Sequence, residues 1–322
     1  MLVSVADLGN YLNKDVQFYA KLVGRRMCRS DTGHNFYRLQ FIENGQAVDG
    51  ILWWSSPIYA LVGQLDLSVP PRVEVLGHVD GDKSSLRIRV SNLCIAYQSL
   101  KIGNSAWMIP IQALDAYFTL YGYLQKMSKG GLATFMSAVF LDEDITPAYL
   151  RCRGSVNHHH KFMGGLLVHS VQVANLVQVQ SICLGLSLEE TELGIAGALL
   201  HDLGKIEVVG EANPRPKDPG LFSHEVTTIK LLAPHLKLLK AIDSRTAWTM
   251  EHILHQMIPA QKSKIASLVI CDLIRMADQL SAASNNKKGI DDFLSIGKHS
   301  QLHPIKMEAI QKRQLALFNE AV

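Results

Sequence analysis

The residues that could do chemistry are concentrated in the second half of this 322-residue chain. Nine of its 13 histidines lie between positions 157 and 278. His201 and Asp202 are adjacent at the end of an apolar run, and neighbouring residues on a helix point about 100° apart, so the pair could hold one ion from two sides. His169 precedes the pair and Asp278 follows it. Imidazole and carboxylate donors together suit a divalent ion such as Mn, Fe, Ni, Zn or Mg.

Hydrophobic periodicity predicts that helices carry these side chains. The segment 165–184, which contains His169, is expected to form a long amphipathic helix. The segment 187–200 is expected to follow it, with Ser187 as the N-cap and two glutamates in the first turn. Further helices are predicted at 114–124, 132–141, 225–233, 241–254, 262–283 and 304–318, with a solvated linker at 285–289 before the last of them.

The first hundred residues have a different pattern. Five short segments with alternating or β-rich sequence are separated by Gly-containing turns, which favours a small β-barrel or sandwich. A short helix is expected at 57–65. The predicted strands are residues 16–23, 35–42, 48–54, 73–79 and 85–90.

Composition restricts the class of protein. An apolar fraction of 48% and a charged fraction of 19% are typical of a packed globular protein. No run of about 18 apolar residues predicts a membrane-spanning helix, and the first residues lack a signal-peptide pattern. The five cysteines are scattered without a C-x-x-C pair, which argues against a disulfide framework or a thiolate zinc site. A reducing, cytoplasmic location is therefore expected. A net charge of +3 does not by itself argue for nucleic acid.

Three motifs together resemble the HD superfamily of metal-dependent phosphohydrolases. They are Gly-Gly-Leu-Leu-Val-His169, then Leu-Leu-His-Asp-Leu-Gly-Lys205, then Ala-Asp-Gln-Leu-Ser281, and the resemblance covers about residues 130–283. It implies a divalent metal cofactor, one or two ions, of unassigned identity. The ligands that it implies for the first ion are His169, His201, Asp202 and Asp278.

In many HD relatives two further histidines hold a second ion. His224 matches one of them, and either His252 or His255 matches the other. The family commonly has Ile-Leu-x-His-His-Gly at this second position, whereas this chain has Ile253-Leu-His-Gln-Met257, so it departs from the pattern there. The resemblance implies that Asp202 bridges the two ions.

Two further features near the motifs have open interpretations. Lys205 could pair with phosphate oxygens as a mobile point charge, or it could be a helix-end lysine that offsets the dipole. The tract His158-His159-His160 could be a solvent-facing cluster. Alternatively, His159 and His160 could lie at the rim of the metal cleft, where an imidazole can bind phosphate or donate a proton.

The N-terminal strands resemble an OB-fold of the nucleic-acid-binding type. Candidate stacking groups are Tyr37 and Trp53, and candidate phosphate partners are Arg38, Arg87 and Arg89. An OB module followed by an HD domain resembles YhaM-type 3′→5′ exoribonucleases. The triple-histidine tract and the Ala-Asp-Gln-Leu-Ser ending also resemble the TraI-type HD domain of MobH-class conjugative relaxases.

The sequence therefore predicts an α+β multidomain protein in which a small five-stranded OB-like β-barrel precedes an all-α HD domain. The expected domains are the barrel at 1–100, the HD domain at 101–284, and at 285–322 a linker and a C-terminal helix packed on the HD domain. The predicted function is a metal-dependent phosphodiesterase, in particular a 3′→5′ exonuclease on single-stranded RNA or DNA, with no membrane partner and a possible homo-oligomer. The alternatives are a relaxase-like enzyme of conjugation and a non-catalytic nucleic-acid-binding protein.

Overall fold

The N-terminal region is a closed β-barrel. The computed structural model describes residues 2–82, 85–96, 108–156, 160–211, 223–258 and 267–284. Five strands form the barrel, and the sheet order is β3-β2-β1-β4-β5, closed by a parallel pairing of β3 with β5. These strands are β1 (Asp15–Arg29), β2 (Asn35–Glu43), β3 (Gln46–Trp53), β4 (Arg72–Asp82) and β5 (Ser85–Ala96). This closed five-stranded arrangement is OB-like, as the sequence predicted.

The long first strand makes closure possible because it pairs with two partners. Residues 15–21 of β1 pair with β4, residues 21–29 pair with β2, and an irregularity at Leu22/Gly24 bends the strand between them. Alternate side chains such as Phe18 and Phe41 fill the barrel, and their rings meet edge to face. Helix α1 (Tyr59–Gln64) lies between β3 and β4 in the sequence, within the predicted segment 57–65.

The remainder of the described chain is helical apart from one short strand, β6 (Met108–Pro110), which pairs with β5. The predicted boundary between residues 100 and 101 falls among residues outside the described ranges, as do the linker and helix predicted for 285–322. Nine helices follow β6 in the described ranges: α2 (Leu114–Lys126), α3 (Gly131–Leu141), α4 (Thr146–Arg151), α5 (Gly165–Cys183), α6 (Leu188–Leu200), α7 (Lys205–Val208), α8 (His224–Ile242), α9 (Ser244–Gln256) and α10 (Val269–Ser284).

Helix α5 is the central helix of this region. By length and composition alone it could cross a membrane, but half of its apolar window is buried inside the protein. It packs against α6 and α10, and it carries the buried polar residue His169. We therefore interpret α5 as the core helix of the helical region, which accounts for its apolar composition.

Two local predictions have different outcomes. Ser187 caps α6, because its side chain accepts a hydrogen bond from the backbone N–H of Glu190, whose carboxylate in turn accepts from the Ser187 N–H. In contrast, the helix predicted at 225–233 is too short, since α8 continues through Pro234 to Ile242. Proline removes one backbone hydrogen bond, but continuing the helix buries Leu236 and Leu239 in the core, and that burial outweighs the loss.

A buried ion pair joins the barrel to the helices. Glu74 on β4 is fully buried and contacts the guanidinium of Arg151 at the end of α4. Arg151 also contacts Glu211, just after α7. These carboxylates raise the pKa of Arg151 although its burial works in the opposite direction. The barrel therefore supplies one of the partners that compensate a charge in the helical region.

Candidate metal centre and nucleic-acid interface

Three helices bring two imidazoles and two carboxylates to one point. His169 lies on α5, His201 and Asp202 lie directly after α6, and Asp278 lies on α10. One ligand atom from each lies within 4.8 Å of all the others. The Nε2 atom of His169 is 3.2 Å from Asp202 Oδ2 and 3.1 Å from Asp278 Oδ1. The Nε2 atom of His201 is 3.3 Å and 3.8 Å from the same two oxygens. The structure thus brings together the four residues that the HD resemblance implied as ligands.

These separations fit a bound cation. Two ligand atoms that are each about 2.1 Å from an ion are about 3.0 Å apart at a right angle and about 3.4 Å apart at the tetrahedral angle. Three of the four contacts fall in this interval. The Nε2 atom of His201 is buried and has no hydrogen-bond partner among the described residues. A buried polar atom in this state requires an explanation, and a divalent ion would supply it.

The other ring nitrogen of each histidine is held by the protein. His201 Nδ1 donates to the carbonyl of Ala198 at 2.7 Å, so Nε2 is the ring nitrogen that faces the two carboxylates. His169 Nδ1 lies 3.0 Å from Ser281 Oγ, and the Ser281 hydroxyl donates to Gln172 Oε1 at 3.0 Å. With its own hydrogen directed at Gln172, the hydroxyl accepts from the imidazole N–H. These two hydrogen bonds, from His169 to Ser281 and from Ser281 to Gln172, form what we call the Ser281 relay. The relay holds His169 in the tautomer that can bind a metal through Nε2.

The carboxylates of the cluster stay ionised. Burial by itself would raise the pKa values of Asp202 and Asp278, but the neighbouring imidazoles hold both below the ordinary range, and Lys205 further lowers that of Asp202. Burial would lower the pKa of His201, yet the two carboxylates raise it to about 10. The site is therefore strongly attractive to a cation.

Lys205 lies at the edge of the cluster. Its Nζ is 2.5 Å from Asp202 Oδ2. It is the first residue of α7, a helix of a single turn, and it lies beyond the end of α6 at Leu200. The turn before it packs closely on α8, because the Gly204 N–H donates to Thr228 Oγ1 and a Cβ atom at Gly204 would lie only 2.0 Å from the His224 carbonyl oxygen. Glycine is therefore required here for the close approach of the backbones.

The three histidines suggested for a second ion occupy different environments. His224 Nε2 lies 3.1 Å from Asp202 Oδ1, the carboxylate oxygen that faces away from the first cluster. His252 is half-buried, and its Nε2 has no hydrogen-bond partner among the described residues, whereas His255 is exposed. The structure thus brings His224 to the site, whereas neither His252 nor His255 belongs to the metal cluster of the described residues.

His160 lies beside the metal cluster, while His158 and His159 are outside the described residues. His160 is buried, and the centre of its ring is 5.5 Å from that of His169. Its backbone packs tightly on the start of α5, because a Cβ atom at Gly165 would lie 1.9 Å from the His160 carbonyl oxygen. Glycine at position 165 therefore allows the backbone of His160 to pack against the start of α5, next to the metal cluster.

The barrel presents a basic and aromatic outer face. Arg38, Arg87, Arg89 and Trp53 alternate with core residues on β2, β3 and β5, and all four are exposed. A groove of about 340 Å³ contains Arg38, Arg87 and Phe36, and a larger one of about 750 Å³ contains Trp53 and Arg89. Aromatic surface next to arginines is typical of sites that stack bases and contact phosphates.

The predicted nucleic-acid contacts on the barrel differ in whether other residues of the protein already pair or stack with them. Arg38 pairs with Asp49, and Arg89 pairs with Asp80 at 3.1 Å. Arg87 is exposed and has no ion-pair partner in the described part of the chain. Tyr37 lies on the opposite face of β2 from Arg38, stacked on Tyr59 with ring centres 4.4 Å apart. The structure therefore does not place Tyr37 with the other predicted nucleic-acid contacts.

Sequence reasoning missed three residues around the metal centre. Gln172 and Ser281 follow His169 and Asp278 by three positions each, which is the spacing of one helical face. Glu225 directly follows His224. Helical spacing from the predicted ligands was the available signal for Gln172 and Ser281, but only the tertiary contacts reveal their hydrogen bonds.

Comparison with known proteins agrees with this arrangement. Residues 166–283 match the HD domain. This domain is typical of metal-dependent phosphohydrolases, and it contains all four residues of the first metal cluster. Comparison with curated proteins finds no match.

Solved structures were also compared with the chain. Two structures of a replication protein A domain from Methanococcus maripaludis, one described as its second OB-fold domain, are each 21% identical with a TM-score of 0.24. Each match covers 31% of this chain, and 99% and 100% of those chains. A putative aspartyl-tRNA synthetase from Leishmania major Friedlin is 12% identical with a TM-score of 0.25, over 45% of this chain and 33% of that one.

Proposed function

We propose that this protein is a metal-dependent phosphodiesterase that degrades single-stranded RNA or DNA. The observation that carries the proposal is the cluster of His169, His201, Asp202 and Asp278 within an HD domain. The OB-like barrel with its outer face of arginine and tryptophan supports a polymeric nucleic acid, because a small nucleotide would not require such a face.

The residues of the site would have the following roles in hydrolysis. Bound divalent ions would lower the pKa of a coordinated water and stabilise the charge that develops on the phosphate. The two histidines and two aspartates would hold these ions, and the imidazole rings would be kept in position by their outer hydrogen bonds. Lys205 would exchange its contact with Asp202 for a phosphate oxygen. One histidine, either His160 or His159 beside it in the sequence, would donate the single proton that the leaving oxygen requires.

We further propose that digestion proceeds from the 3′ end. The support for this polarity is the order of an OB module followed by an HD domain, which resembles YhaM-type exoribonucleases. The test is a ladder assay with 5′-labelled single strands of RNA and DNA in the presence of Mn²⁺. We expect stepwise shortening that a 3′ phosphate or a 3′ duplex blocks, and no ladder with Asp202→Ala.

Other outcomes of the same assay would identify the alternatives. A protein–DNA adduct that survives denaturation would indicate a relaxase-like enzyme. Binding of the strand without turnover under any divalent metal would indicate a non-catalytic nucleic-acid-binding protein. Cleavage at internal positions would retain the phosphodiesterase and refute the exonuclease.

A further inference from the structure

We propose that Arg153 is a phosphate-binding residue, which holds a phosphate of the bound strand next to the one at the metal cluster. The ligand is a phosphodiester group of RNA or DNA, so the inference rests on the proposed function and adds a second contact with the same substrate. The observation that carries it is a buried guanidinium without a carboxylate partner in the described ranges, close to the metal cluster.

Arg153 differs from the other buried charged side chains of the described ranges. The buried members of the Asp, Glu, Lys and Arg types there are Glu74, Arg153 and Asp202. Glu74 pairs with Arg151, and Asp202 pairs with Lys205. Arg153 is 8% exposed, yet no carboxylate among the described residues lies within ion-pair distance of it. Burial of an uncompensated charge is costly, so stability does not explain an arginine at this position.

The contacts that the Arg153 side chain makes within the protein are weak. Its Nη2 lies 3.3 Å from the Val209 carbonyl oxygen, and its Nε lies 3.5 Å from that of Gly210. Both distances exceed the ordinary range of about 2.7–3.2 Å. The Gly210 carbonyl also accepts the backbone N–H of Arg153 at 3.2 Å. A guanidinium has more N–H donors than these contacts use, so it can still donate to a ligand.

A helix-capping role does not account for this burial. Val209 and Gly210 directly follow α7, and a basic side chain can satisfy the last carbonyls of a helix. However, α7 is a single turn from Lys205 to Val208, so few peptide dipoles are aligned in it. Two long contacts to such carbonyls compensate a buried positive charge less well than an anionic ligand would.

Arg153 lies close to the groups that would bind the scissile phosphate. The buried thiol of the preceding Cys152 is 3.4 Å from the Lys205 carbonyl oxygen. Burial raises the pKa of this thiol to about 12, whereas the charges of Lys205 and Arg153 act to lower it, so both cations are within electrostatic range of one atom. The N–H of the following Gly154 donates to the His160 carbonyl at 2.8 Å. Arg153 is therefore flanked by the lysine of the metal cluster and by the histidine beside that cluster.

The two cations are separated along α7. Lys205 is the first residue of this helix, and Arg153 contacts the residue after its last one, which is about 6 Å further along the helix axis. Lys205 contacts Asp202 in the metal cluster, so it would bind the scissile phosphate. The planar fork of an arginine binds two oxygens of one phosphate. Arg153 is therefore placed to hold a neighbouring phosphate of the same strand.

The experiment compares full-length wild type, Arg153→Met and Arg153→Lys on two substrates. One is a single-stranded oligonucleotide, and the other is bis(p-nitrophenyl) phosphate, which has only a scissile phosphate. Arg153→Met should raise KM for the oligonucleotide by at least about tenfold, as expected for a lost hydrogen bond to a charged group, with kcat unchanged. Its kinetics on the small diester should equal those of wild type. Arg153→Lys keeps the charge but loses the fork, so it should raise the same KM by a smaller factor.

Two further measurements distinguish a phosphate contact from a structural role. Fluorescence anisotropy without divalent metal gives Kd for a labelled oligonucleotide at several salt concentrations. Arg153→Met should reduce the slope of log Kd against log salt by about 0.7, the value for one phosphate contact on a single strand. Its Tm should rise, because the variant removes an uncompensated buried charge. Loss of a capping arginine would instead lower the Tm.

The matched control is Arg245→Met on α9. The Arg245 side chain is 84% exposed and lies 3.9 Å from Glu189, which is at the opposite end of α6 from His201. This variant removes the same charge from the helical region at a distance from the metal cluster. It should keep the KM, the salt slope and the metal content of wild type.

The outcomes separate this inference from the proposed function. If wild type binds the oligonucleotide but cleaves neither substrate with any divalent metal, the phosphodiesterase is refuted and the salt slope decides the role of Arg153. If wild type binds no oligonucleotide, both proposals are refuted.

The variants decide the role of Arg153 itself. If a folded Arg153→Met protein has wild-type KM and salt slope, Arg153 is not a phosphate ligand. An equal loss of activity on the small diester would show damage to the metal site and would also overturn the assignment. If Arg153→Met does not fold, Arg153→Lys decides, since an unchanged KM and Kd for the oligonucleotide would exclude a bidentate phosphate contact.

Discussion

The hydroxyl of Ser281 positions a metal ligand to which it is not adjacent in sequence, so Ser281→Ala is expected to weaken metal binding in a folded protein. Ser281 is 3% exposed and His169 is fully buried. Water therefore cannot easily take the place of the deleted hydroxyl. The variant removes the acceptor for His169 Nδ1–H and also the donor to Gln172.

The size of the effect follows from these contacts. Removing one partner from a buried hydrogen bond costs about 1–3 kcal/mol. Loss of an outer partner of a metal-binding histidine typically lowers metal affinity by about 10–100-fold, which corresponds to about 1.4–2.8 kcal/mol. The two estimates agree, and we expect the affinity of the first ion to fall by that factor.

The assay is competition for Mn²⁺ between the protein and a chelating dye, with the fold monitored by circular dichroism. Ser181→Ala is the matched control, because Ser181 is also buried and near α5's C-terminal end, and its hydroxyl has no hydrogen-bond partner among the described residues. Ser281→Thr, which retains a hydroxyl, should recover most of the affinity. Wild-type affinity in a folded Ser281→Ala protein would refute the relay.

Four further predictions test other parts of the molecule. Asp202→Ala should remove bound metal and hydrolysis while strand binding by the barrel persists, and wild-type metal content measured by elemental analysis would contradict this. Lys205→Met should lower turnover without lowering Mn²⁺ affinity, because the lysine competes with the ion for Asp202; an unchanged rate would exclude a role in catalysis. Trp53→Ala should weaken binding of a fluorescent single strand by about 1–3 kcal/mol, whereas Trp248→Ala, at an exposed tryptophan of α9, should not, and equal losses would refute a specific barrel interface. Glu74→Ala should lower the free energy of unfolding by up to about 3–5 kcal/mol, since it removes the fully buried one of the two carboxylates that compensate the Arg151 guanidinium; a change below about 1 kcal/mol in urea denaturation would show that this ion pair contributes little.

The ion pair of Glu74 also affects how the barrel should be tested. Deleting residues 1–100 would strip Arg151 of one of its two carboxylate partners and would remove β5, with which β6 pairs. A truncated protein would therefore combine lost strand binding with damage to the helical region. Point variants on the outer face of the barrel separate these effects.

Much of the architecture could be predicted from local sequence patterns. Alternation of apolar residues predicted the five barrel strands, and the confirmed fold class followed from their position before the helices. The capping box of Ser187 and Glu190 was partly readable because it involves residues three positions apart. The types and order of His169, His201, Asp202 and Asp278 indicated a metal site because imidazole and carboxylate groups have few other reasons to recur in an apolar helical region.

Only the tertiary structure decided the features that depend on contacts between distant segments. The local sequence around Pro234 indicates a helix end. The helix nevertheless continues, and leucines on both sides of the proline are buried in the core. Strand alternation already puts Tyr37 and Arg38 on opposite faces of β2, but only the packing of the barrel decided that Arg38 is on the exposed face while Tyr37 stacks on Tyr59. Ser281 meets His169 across 112 positions. Residue type and spacing report the chemistry and period of one segment, whereas the partners of a side chain are set by how segments pack.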